Sequence, residues 1–367
     1  DTEYDGPIQT TENSKFRLDV ESVFKSTIVK YLEWRAKVKK KMKQYGLPPS
    51  EYSRLYALQI ALKVVANSLV GNFSYKHGMF LNDNVFESVT KTGRWIILNI
   101  ADISRSLGYP TIYGDTDSIF IHYGRPPREG EVEEIVDTIN TKIHERMEKR
   151  FGIPPERNYI RLKVDDIFEV IHFTHAKKMY VGYPMKDGKP NPLSHKEFII
   201  GGRLAIVTGH QMKKRSAFPL LAKAEQKLFE LLLQSALNPG MDFMTELRNY
   251  LREMRRLLFS GALDRTLVFT IGVGKKLEDY KPRQPHIKAA KKLAKIRQVR
   301  PGDGVKYVIV GYDSDGTLCS EPVIDGKIPK ISPAGYRYYF YERIVSRLEE
   351  LLGKKINIDS GSILDYF

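Results

Sequence analysis

Cysteine is almost absent from this sequence: Cys319 is the only one among 367 residues. An internal disulfide framework, a cysteine zinc cluster and an iron–sulfur site built from this chain alone are therefore excluded. No apolar run approaches the ~20 residues of a membrane span, and the polar start of the chain does not resemble a signal peptide. No period of roughly 20 to 50 residues recurs, which excludes solenoids and propellers. These absences favour a soluble, intracellular protein without membrane contact.

Negative charge is also in short supply. Lys and Arg number 59 against 44 Asp and Glu, which gives a net charge of +15 at pH 7. This excess favours phosphate-rich partners, because neutralised phosphates release counterions, but it does not choose between DNA, RNA and anionic lipid. Apolar residues make up 42% of the chain, enough for folded cores, and the length predicts two or three packed lobes.

Periodicity predicts a helical hairpin, then an α/β middle, then a mostly helical end. Helical patterns at 24–43 and 50–70 are separated by the breaker run Gly46-Leu47-Pro48-Pro49. Short helical and strand signals are mixed over 72–123. The remaining predictions are a helix at 132–150, two strands within 168–183, a loop at 188–192, helices at 220–234, 243–259, 285–296 and 338–352, and a β segment at 305–311.

The strongest local signal is Gly114-Asp115-Thr116-Asp117, the predicted tip between two β-rich runs. Two carboxylates held close together at the edge of an apolar sheet repel each other, and a divalent cation relieves that repulsion. Hard oxygen ligands at a loop tip suit Mg²⁺ that is also bound to a substrate's phosphates. An ordinary solvated turn is the alternative, since Gly, Asp, Thr and Ser are common turn residues.

Basic residues lie in the helical hairpin in a pattern that a solvated face explains only partly. Arg35 and Lys39 interrupt the apolar stripe of the first helix, where a core-facing helix would place leucine. Four residues apart, they can reach one polyanion together. Lys63 and Asn67 share a line on the second helix, where a surface flank is the alternative. Their joint occurrence ahead of a paired-carboxylate tip favours phosphate binding.

A third cluster is Lys177-Lys178-Met179-Tyr180. Successive side chains of a strand take opposite faces, so Lys178 and Tyr180 are predicted to share a side. A lysine beside an aromatic ring on one sheet face suits contact with a nucleic-acid backbone. The alternative is an edge strand that lysines protect against aggregation.

Together these segments resemble the carboxyl-terminal half of a family-B DNA polymerase, over roughly residues 20–352. Residues 63–71 resemble the fingers motif of that family, 113–118 its palm metal motif and 177–180 its primer-gripping motif, and 277–293 is similar to the thumb. Three motifs in the family's order make the resemblance specific. An archaeal-like member is favoured, since the cysteine-rich module of eukaryotic replicative members is missing.

The resemblance implies an α+β fold with helical-hairpin fingers at 21–75, a palm with an antiparallel sheet at 76–215 and a mostly helical thumb at 216–352, between an N-terminal extension at 1–20 and a tail at 353–367. It implies template-directed nucleotidyl transfer to a primer 3′-hydroxyl by a two-metal mechanism with Mg²⁺, or with Mn²⁺ in its place. The implied location is the cytoplasm, in association with the nucleoid.

The resemblance also implies roles for particular residues. These are catalytic metal binding by Asp115 and Asp117, binding of the incoming dNTP by Arg35, Lys39, Lys63 and Asn67, and contact with primer–template DNA by Lys177, Lys178, Tyr180, Lys276 and Tyr280. At the end of the chain, Ile363, Tyr366 and Phe367 resemble a sliding-clamp-binding box, for which chance aromatics at a terminus are the alternative.

Three departures from the family qualify this interpretation. The palm motif with Asp followed closely by Ser-Leu-Tyr-Pro, which supplies another metal-binding carboxylate, is missing, and so is a 3′–5′ exonuclease domain. We therefore expect the chain to need an amino-terminal polymerase segment that carries both, and to be inactive without it. Val70 stands where the fingers motif has Tyr, and 202–210 stands where the family often has an Arg-Arg-Asp ending.

Two other hypotheses compete with the polymerase. One is a catalytically inactive, polymerase-like DNA-binding subunit. The other is a haloacid-dehalogenase-type phosphatase, in which Asp115 and Asp117 would form the nucleophile loop and Asp165-Asp166 the later acidic pair. The phosphatase gives no reason for the basic helical hairpin.

Overall fold

The computed structural model describes residues 8–11, 14–17, 19–20, 22–44, 46–175, 177–186, 196–210, 212, 217–280 and 284–359. The chain divides into two compact units, Asp1–Asp165 (unit 1) and Asp166–Phe367 (unit 2). The division falls within 76–215, the range expected for the palm, and the domain boundaries drawn from the sequence stay predictions. The loop at 188–192 lies outside the described residues.

Unit 1 begins with a short ribbon of two antiparallel strands, β1 (Ile8–Thr10) and β2 (Lys15–Arg17), followed by the predicted helical hairpin. The hairpin helices are α1 (Val23–Met42) and α2 (Pro49–Gly71). Ser22 caps α1 by accepting a hydrogen bond from the backbone N–H of Lys25 at 3.3 Å. Proline opens α2 at a position where its missing N–H costs nothing. The two helices meet on a small core of Val38, Leu55 and Leu62.

The second part of unit 1 consists of α3 (Asp83–Ser106), the hairpin of β3 (Thr111–Asp115) and β4 (Ser118–Ile121), and α4 (Glu131–Phe151). Its core joins α3 to α4 through buried side chains: Ile100, Ile103, Ile139, Ile143, Met147 and Phe151. The expectation of short mixed elements over 72–123 was wrong for α3. Its β-branched residues and Gly93 lower helix propensity, but the cap from Asn82 and one apolar face outweigh them.

Unit 2 begins with a four-stranded antiparallel sheet in the order β5-β6-β8-β7. The strands are β5 (Phe168–Phe173), β6 (Tyr180–Pro184), β7 (Glu197–Ile200) and β8 (Arg203–Thr208). The central strands β6 and β8 are mostly buried, whereas the outer strands β5 and β7 are mostly part-exposed, so the two central strands carry most of the apolar layer. Helix α5 (Pro219–Leu237) contacts this sheet and also α6 (Phe243–Phe259).

The rest of unit 2 is less purely helical than the sequence predicts. A second antiparallel sheet, in the order β11-β10-β9, is built from β9 (Phe269–Gly272), β10 (Gly304–Tyr312) and β11 (Leu318–Pro322), of which only β10 was predicted. Helix α7 (Pro285–Ala294) packs on β10 and β11. The range predicted as the last helix, 338–352, contains a π-helical segment (Tyr338–Val345) and then α9 (Ser346–Leu352). A short helix, α8 (Pro333–Arg337), precedes them.

One continuous apolar core unites both sheets and the helices of unit 2, with Phe218, Leu228, Leu247, Tyr339 and Leu348 fully buried within it. The mixture of helices and antiparallel sheets confirms the α+β fold class. Among the described residues, none of the helices is both long enough and apolar enough to cross a membrane.

Candidate functional site

The two predicted metal-binding acids lie at the tip of a tight β-hairpin. Asp115 ends β3 and pairs with Ser118 at the start of β4, which leaves only Thr116 and Asp117 as the connection. The backbone N–H of Asp117 donates to the carbonyl oxygen of Asp115 at 2.7 Å, and the hydroxyl of Ser118 donates to the same oxygen at 3.2 Å. The sequence therefore predicted this tip correctly.

The backbone of the tip is strained at one residue. Thr116 has a φ of 55°, in the left-handed region, which β-branched residues rarely adopt. Its hydroxyl donates to Asp115 Oδ1 at 3.0 Å and so orients that half-buried carboxylate, while Asp117 is exposed. Strain of this kind persists where the surroundings fix the geometry, and it is common at functional sites.

Apolar contacts hold the hairpin stem below the tip. The rings of Tyr113 and Phe120 pack edge to face across the two strands, with centroids 5.8 Å apart. Ile119 packs against the core between α3 and α4. The tip is therefore a polar end on an apolar support, as expected for a fixed pair of ligands.

The helical hairpin holds two cations of α1, Arg35 and Lys39, near each other. The Nε and Nη2 groups of Arg35 donate to Oε1 of the buried Gln59 at 3.4 and 3.3 Å, so the guanidinium is held against α2. Lys39 is exposed as a residue, yet its pKa is lowered, first by desolvation of the ammonium group and then by the positive charges of Lys163 and Arg35. Crowded cations of this kind gain from the arrival of an anion.

Lys163 was not predicted from the sequence. It lies in an irregular segment of unit 1, far along the chain from α1, where no periodicity signals a site; its ammonium group pairs with the exposed Asp165 at 3.0 Å. Lys63 and Asn67, four residues apart on α2, are both exposed. Their surroundings therefore leave them accessible to a ligand.

The third predicted cluster differs from the expected strand. Tyr180 begins β6, but Lys177 and Lys178 lie in the turn between β5 and β6, and Lys178 has a φ of 61°. The alternation rule that placed Lys178 and Tyr180 on one side therefore does not apply, and that prediction was wrong. We call these two exposed residues the lysine turn. The ring of Tyr180 packs on Phe173, with centroids 6.0 Å apart.

Lys276 and Tyr280 lie in one exposed loop after β9. The hydroxyl of Tyr280 accepts a hydrogen bond from the backbone N–H of Gly274 at 2.8 Å and so closes the loop. The ammonium group of Lys275, which was not predicted, lies 4.9 Å from the centre of the Tyr280 ring. Lys276 is exposed. Tyr280 thus has a structural role in the loop that presents the two lysines.

Some lysines in and beside the basic helix α7 are hydrogen-bonded to other parts of unit 2, and others are exposed. Lys288 donates to the Asp313 carboxylate at 2.7 Å and to the Thr317 hydroxyl at 2.6 Å, and Lys292 donates to Glu321 at 2.6 Å. These two lysines join α7 to the hairpin of β10 and β11. Lys291 of α7 and Lys295, which caps the C-terminal end of α7, are exposed.

Comparison with known proteins decides the family. The sequence model of the family described as DNA polymerase family B matches residues 8–356. The chain belongs to DNA polymerase family B. The resemblance inferred from the fingers, palm and primer-gripping motifs is therefore confirmed at the level of the family, and the match extends over almost the whole chain.

Archaeal family-B polymerases are among the similar proteins. The chain is 28% identical to DNA polymerase 2 of Aeropyrum pernix over 298 residues, 80% of this chain and 32% of that protein. It is 30% identical to DNA polymerase 1 of Sulfurisphaera ohwakuensis over 329 residues, 87% and 32% of the two chains. The chain thus spans about a third of the length of these relatives.

A solved structure shows the same fold. The family B DNA polymerase of Pyrobaculum calidifontis matches with a TM-score of 0.58 and 24% identity, over 96% of this chain and 41% of that chain. The phosphatase hypothesis finds no support here. Asp165 and Asp166, its proposed later acidic pair, are engaged with Lys163 and Lys186 at 3.0 and 3.1 Å.

A divalent metal, which the family implies, fits the donors at the hairpin tip. The described residues hold no group of three or more His, Cys, Asp or Glu side chains that could bind a metal ion by themselves. Mg²⁺, however, commonly keeps several waters and is held by one or two carboxylates together with substrate phosphates. Asp115 and Asp117 provide those two carboxylates, so the tip suits an ion that is also held by a substrate.

Two positions at which the sequence departs from the family's motifs, Val70 and the segment 202–210, lie in or next to regular elements. Val70, in the last turn of α2, is half-buried. Arg203 begins β8; its guanidinium lies 4.4 Å from the centre of the Tyr183 ring and pairs with Glu169. Arg203 therefore has a structural role at the sheet surface. The clamp-box residues Ile363, Tyr366 and Phe367 lie outside the described residues.

Proposed function

We propose that this chain is the carboxyl-terminal part of a DNA-directed DNA polymerase that extends a primer 3′-end along a template. The observation that carries the proposal is the fixed carboxylate pair, Asp115 and Asp117, at a hairpin tip within a chain that matches DNA polymerase family B from residue 8 to residue 356. In this reaction the primer 3′-oxygen attacks the α-phosphorus of a dNTP, and pyrophosphate leaves.

Asp115 and Asp117 would hold the divalent ions, and the Thr116 hydroxyl would keep the Asp115 carboxylate oriented. When bound, Mg²⁺ or Mn²⁺ would lower the pKa of the attacking hydroxyl and neutralise the charge that develops on the leaving group. The half-buried Asp115 and the exposed Asp117 together suit a site that is open to a substrate on one side. This assignment makes both residues catalytic.

Arg35, Lys39, Lys63 and Asn67 would bind the triphosphate of the incoming dNTP. The lowered pKa of Lys39 supports this role, because desolvation and then the neighbouring cations destabilise the charged ammonium, and a bound polyanion would compensate for both. Arg35 supplies a planar fork of donors, and Lys39 supplies a point charge. Lys163 contributes further positive potential near Lys39.

Contact with primer–template DNA would come from the lysine turn and Tyr180, together with Lys276 and the loop that Tyr280 closes. The exposed ammonium groups of Lys177, Lys178 and Lys276 suit phosphates, which carry no sequence information. Such contacts explain how a chain with a net charge of +15 would hold DNA of any sequence.

An amino-terminal polymerase segment would complete the site. Two carboxylates at the tip leave room for a third from another segment, and that segment would also bring the 3′–5′ exonuclease. Large apolar side chains of unit 1 support such a partner because they are exposed, among them Leu32, Val64 and Leu98. A sliding clamp, bound through Ile363, Tyr366 and Phe367, would be a further partner.

Primer extension tests the proposal directly. The full chain, alone and mixed with the amino-terminal segment from the same source, is given primer–template DNA, dNTPs and Mg²⁺. We expect little extension by the chain alone and restored synthesis in the mixture. Asp117→Ala is expected to abolish the restored synthesis, because the tip then has a single carboxylate.

Asp137→Ala is the matched control, since Asp137 is exposed on α4, outside the site. Its mixture should extend primers as the unchanged chain does. Synthesis that survives the combined change of Asp115 and Asp117 to Ala would show that the site assignment is wrong. A mixture that binds DNA but never extends it would favour the second candidate, a catalytically inactive DNA-binding subunit.

A further inference from the structure

The lysine turn is attached to the last helix of its own unit. The backbone N–H of His175, two residues before Lys177, donates to the carbonyl oxygen of Leu351 at 2.9 Å. Leu351 lies in the last turn of α9, where helix carbonyls have no partner within the helix. The chain entering the lysine turn is therefore held to the C-terminal end of α9.

Gly353 makes this close approach possible. It ends α9 with a φ of 66°, and a Cβ built on it would lie 2.5 Å from Cγ and 2.8 Å from Cβ of His175. The Cβ of His175 moves only with its own backbone, so a larger residue at 353 would push His175 away from the helix end. The hydrogen bond to Leu351 would be lost with that movement.

The chain leaving the lysine turn is held by the same helix. The Nη2 group of Arg347 lies 3.6 Å from Sδ of the buried Met179, the residue after Lys178. Arg347 is itself fixed, because its Nε donates to the fully buried Glu225 at 2.7 Å and its Nη1 donates to Glu350 at 2.8 Å. Both sides of the turn are thus fixed, while its two lysines are exposed.

We propose that Gly353 and Arg347 are positioning residues for the lysine turn, so that the end of α9 sets the direction from which its two lysines meet the phosphates of a nucleic-acid backbone. The inference rests on the DNA-binding role proposed for Lys177 and Lys178. Its physical basis is placement: a fixed backbone holds the two ammonium groups where phosphates can contact them, and displacement of the turn would remove those contacts.

The salt dependence of DNA binding tests the positioning role. Binding of the full chain to a fluorescent primer–template duplex is measured by anisotropy at several salt concentrations. Removal of both lysines, Lys177→Ala with Lys178→Ala, should reduce the slope of log K against log salt by ~1.8, about 0.9 per phosphate contact. Gly353→Ala keeps both lysines, yet it should reduce the slope by a similar amount.

A double-mutant cycle separates positioning from a general loss of stability. Added to the two lysine changes, Gly353→Ala should cause no further reduction of the slope, because both changes remove the same phosphate contacts. Arg347→Lys provides a second variant: it keeps a cation beside Glu225 but lacks the nitrogen that reaches Met179. It should reduce the slope in the same direction, by less.

Gly152→Ala is the matched control. Gly152 ends α4 with a φ of 67°, and a Cβ built on it would have nothing within 4 Å, so the variant adds the same backbone strain without a clash. Its slope should be unchanged. An unchanged slope for Gly353→Ala, beside a reduced slope for the lysine pair, would overturn the positioning role. An unchanged slope for the lysine pair would instead overturn the proposed DNA contact on which it rests.

Discussion

The two units of this chain bury their apolar residues very differently. In unit 2 a single core extends from the four-stranded sheet through α5 and α6 to the second sheet and α9. Unit 1 has two separate small cores, one in the helical hairpin and one between α3 and α4. Most of the large apolar side chains that are exposed in the described part of the chain, such as Trp34, Met79 and Leu98, also belong to unit 1.

The contrast has an energetic meaning, because buried apolar area is the main favourable term in folding. Unit 1 leaves many large apolar side chains in water, and we therefore expect it to have the smaller margin of stability. It also carries Asp115, Asp117 and the cations of the helical hairpin, the residues proposed for chemistry. The unit with the proposed catalytic tip is thus the one that we expect to gain most from an added partner.

The largest expected effect concerns the ion pair within the core of unit 2. Nε of Arg347 lies 2.7 Å from Oε1 of Glu225, with side chains only 12% and 0% exposed. Arg347→Met would remove this cationic partner from the buried Glu225 carboxylate, so the free energy of unfolding should fall by ~3–5 kcal/mol. Urea denaturation followed by far-UV circular dichroism measures this loss.

An exposed pair of unit 1 provides the control. Lys91 and Glu87 lie 2.6 Å apart on α3 with both side chains about half exposed, and Lys91→Met should change the free energy of unfolding by no more than ~0.5 kcal/mol. Adding Glu225→Leu to Arg347→Met should recover much of the loss, since the buried carboxylate is then removed as well. Equal effects of Arg347→Met and Lys91→Met would contradict the contrast between the units.

A smaller effect tests whether the two cores are energetically separate. Ile143 in unit 1 and Ile344 in unit 2 are both fully buried, so Ile→Val removes the same methylene from each core. Each variant should lower the stability of its own unit by ~0.5–1.5 kcal/mol and leave the other unchanged. Hydrogen exchange of peptides from α4 and from the π-helical segment measures the two units separately. Loss of protection in both units after either change would mean that the cores unfold together.

Local patterns allowed much of this structure to be predicted from the sequence. The helices α1, α2, α4, α5, α6 and α7 follow from apolar periodicity with clear breakers, and the hairpin tip at Asp115 follows from turn residues between β-rich runs. Helix α3 was missed because its propensity is low and its apolar face is stabilised by packing against α4. Strands β9 and β11 are short, and β9 gains its partner β10 only through contacts distant in sequence.

The candidate site was predicted less completely than the fold. Residue types and spacing located Asp115, Arg35 and Lys39, because those signals lie within one element. The closeness of Lys163 to Lys39 and the attachment of the lysine turn to α9 depend on residues far apart along the chain. No local pattern signals such contacts. The same limit applies to Lys288 and Lys292, which are engaged by acceptors on the β10–β11 hairpin.

The smallest expected effect is a pH dependence confined to unit 1. Hydrogen bonds from the Arg125 side chain and the Arg128 backbone N–H, with the Tyr123 hydroxyl nearby, lower the pKa of Glu131, at the start of α4, to about 2. Because the folded unit favours the ionised carboxylate, its stabilisation is complete above the ordinary value of 4.5 and is lost as the pH falls from there toward about 2. Glu131→Gln lacks this titration.

Tryptophan fluorescence can isolate that effect, since Trp34 and Trp95, the only two tryptophans, both lie in unit 1. In urea titrations, the unchanged chain should be more stable than Glu131→Gln at pH 6, and the difference should shrink as the pH falls toward 2. Exchange of unit 2 peptides should be the same for both chains at each pH. A difference in stability that stays constant with pH would mean that Glu131 stabilises unit 1 by packing rather than by charge. Any loss of stability of unit 1 in acid would then have to come from another carboxylate.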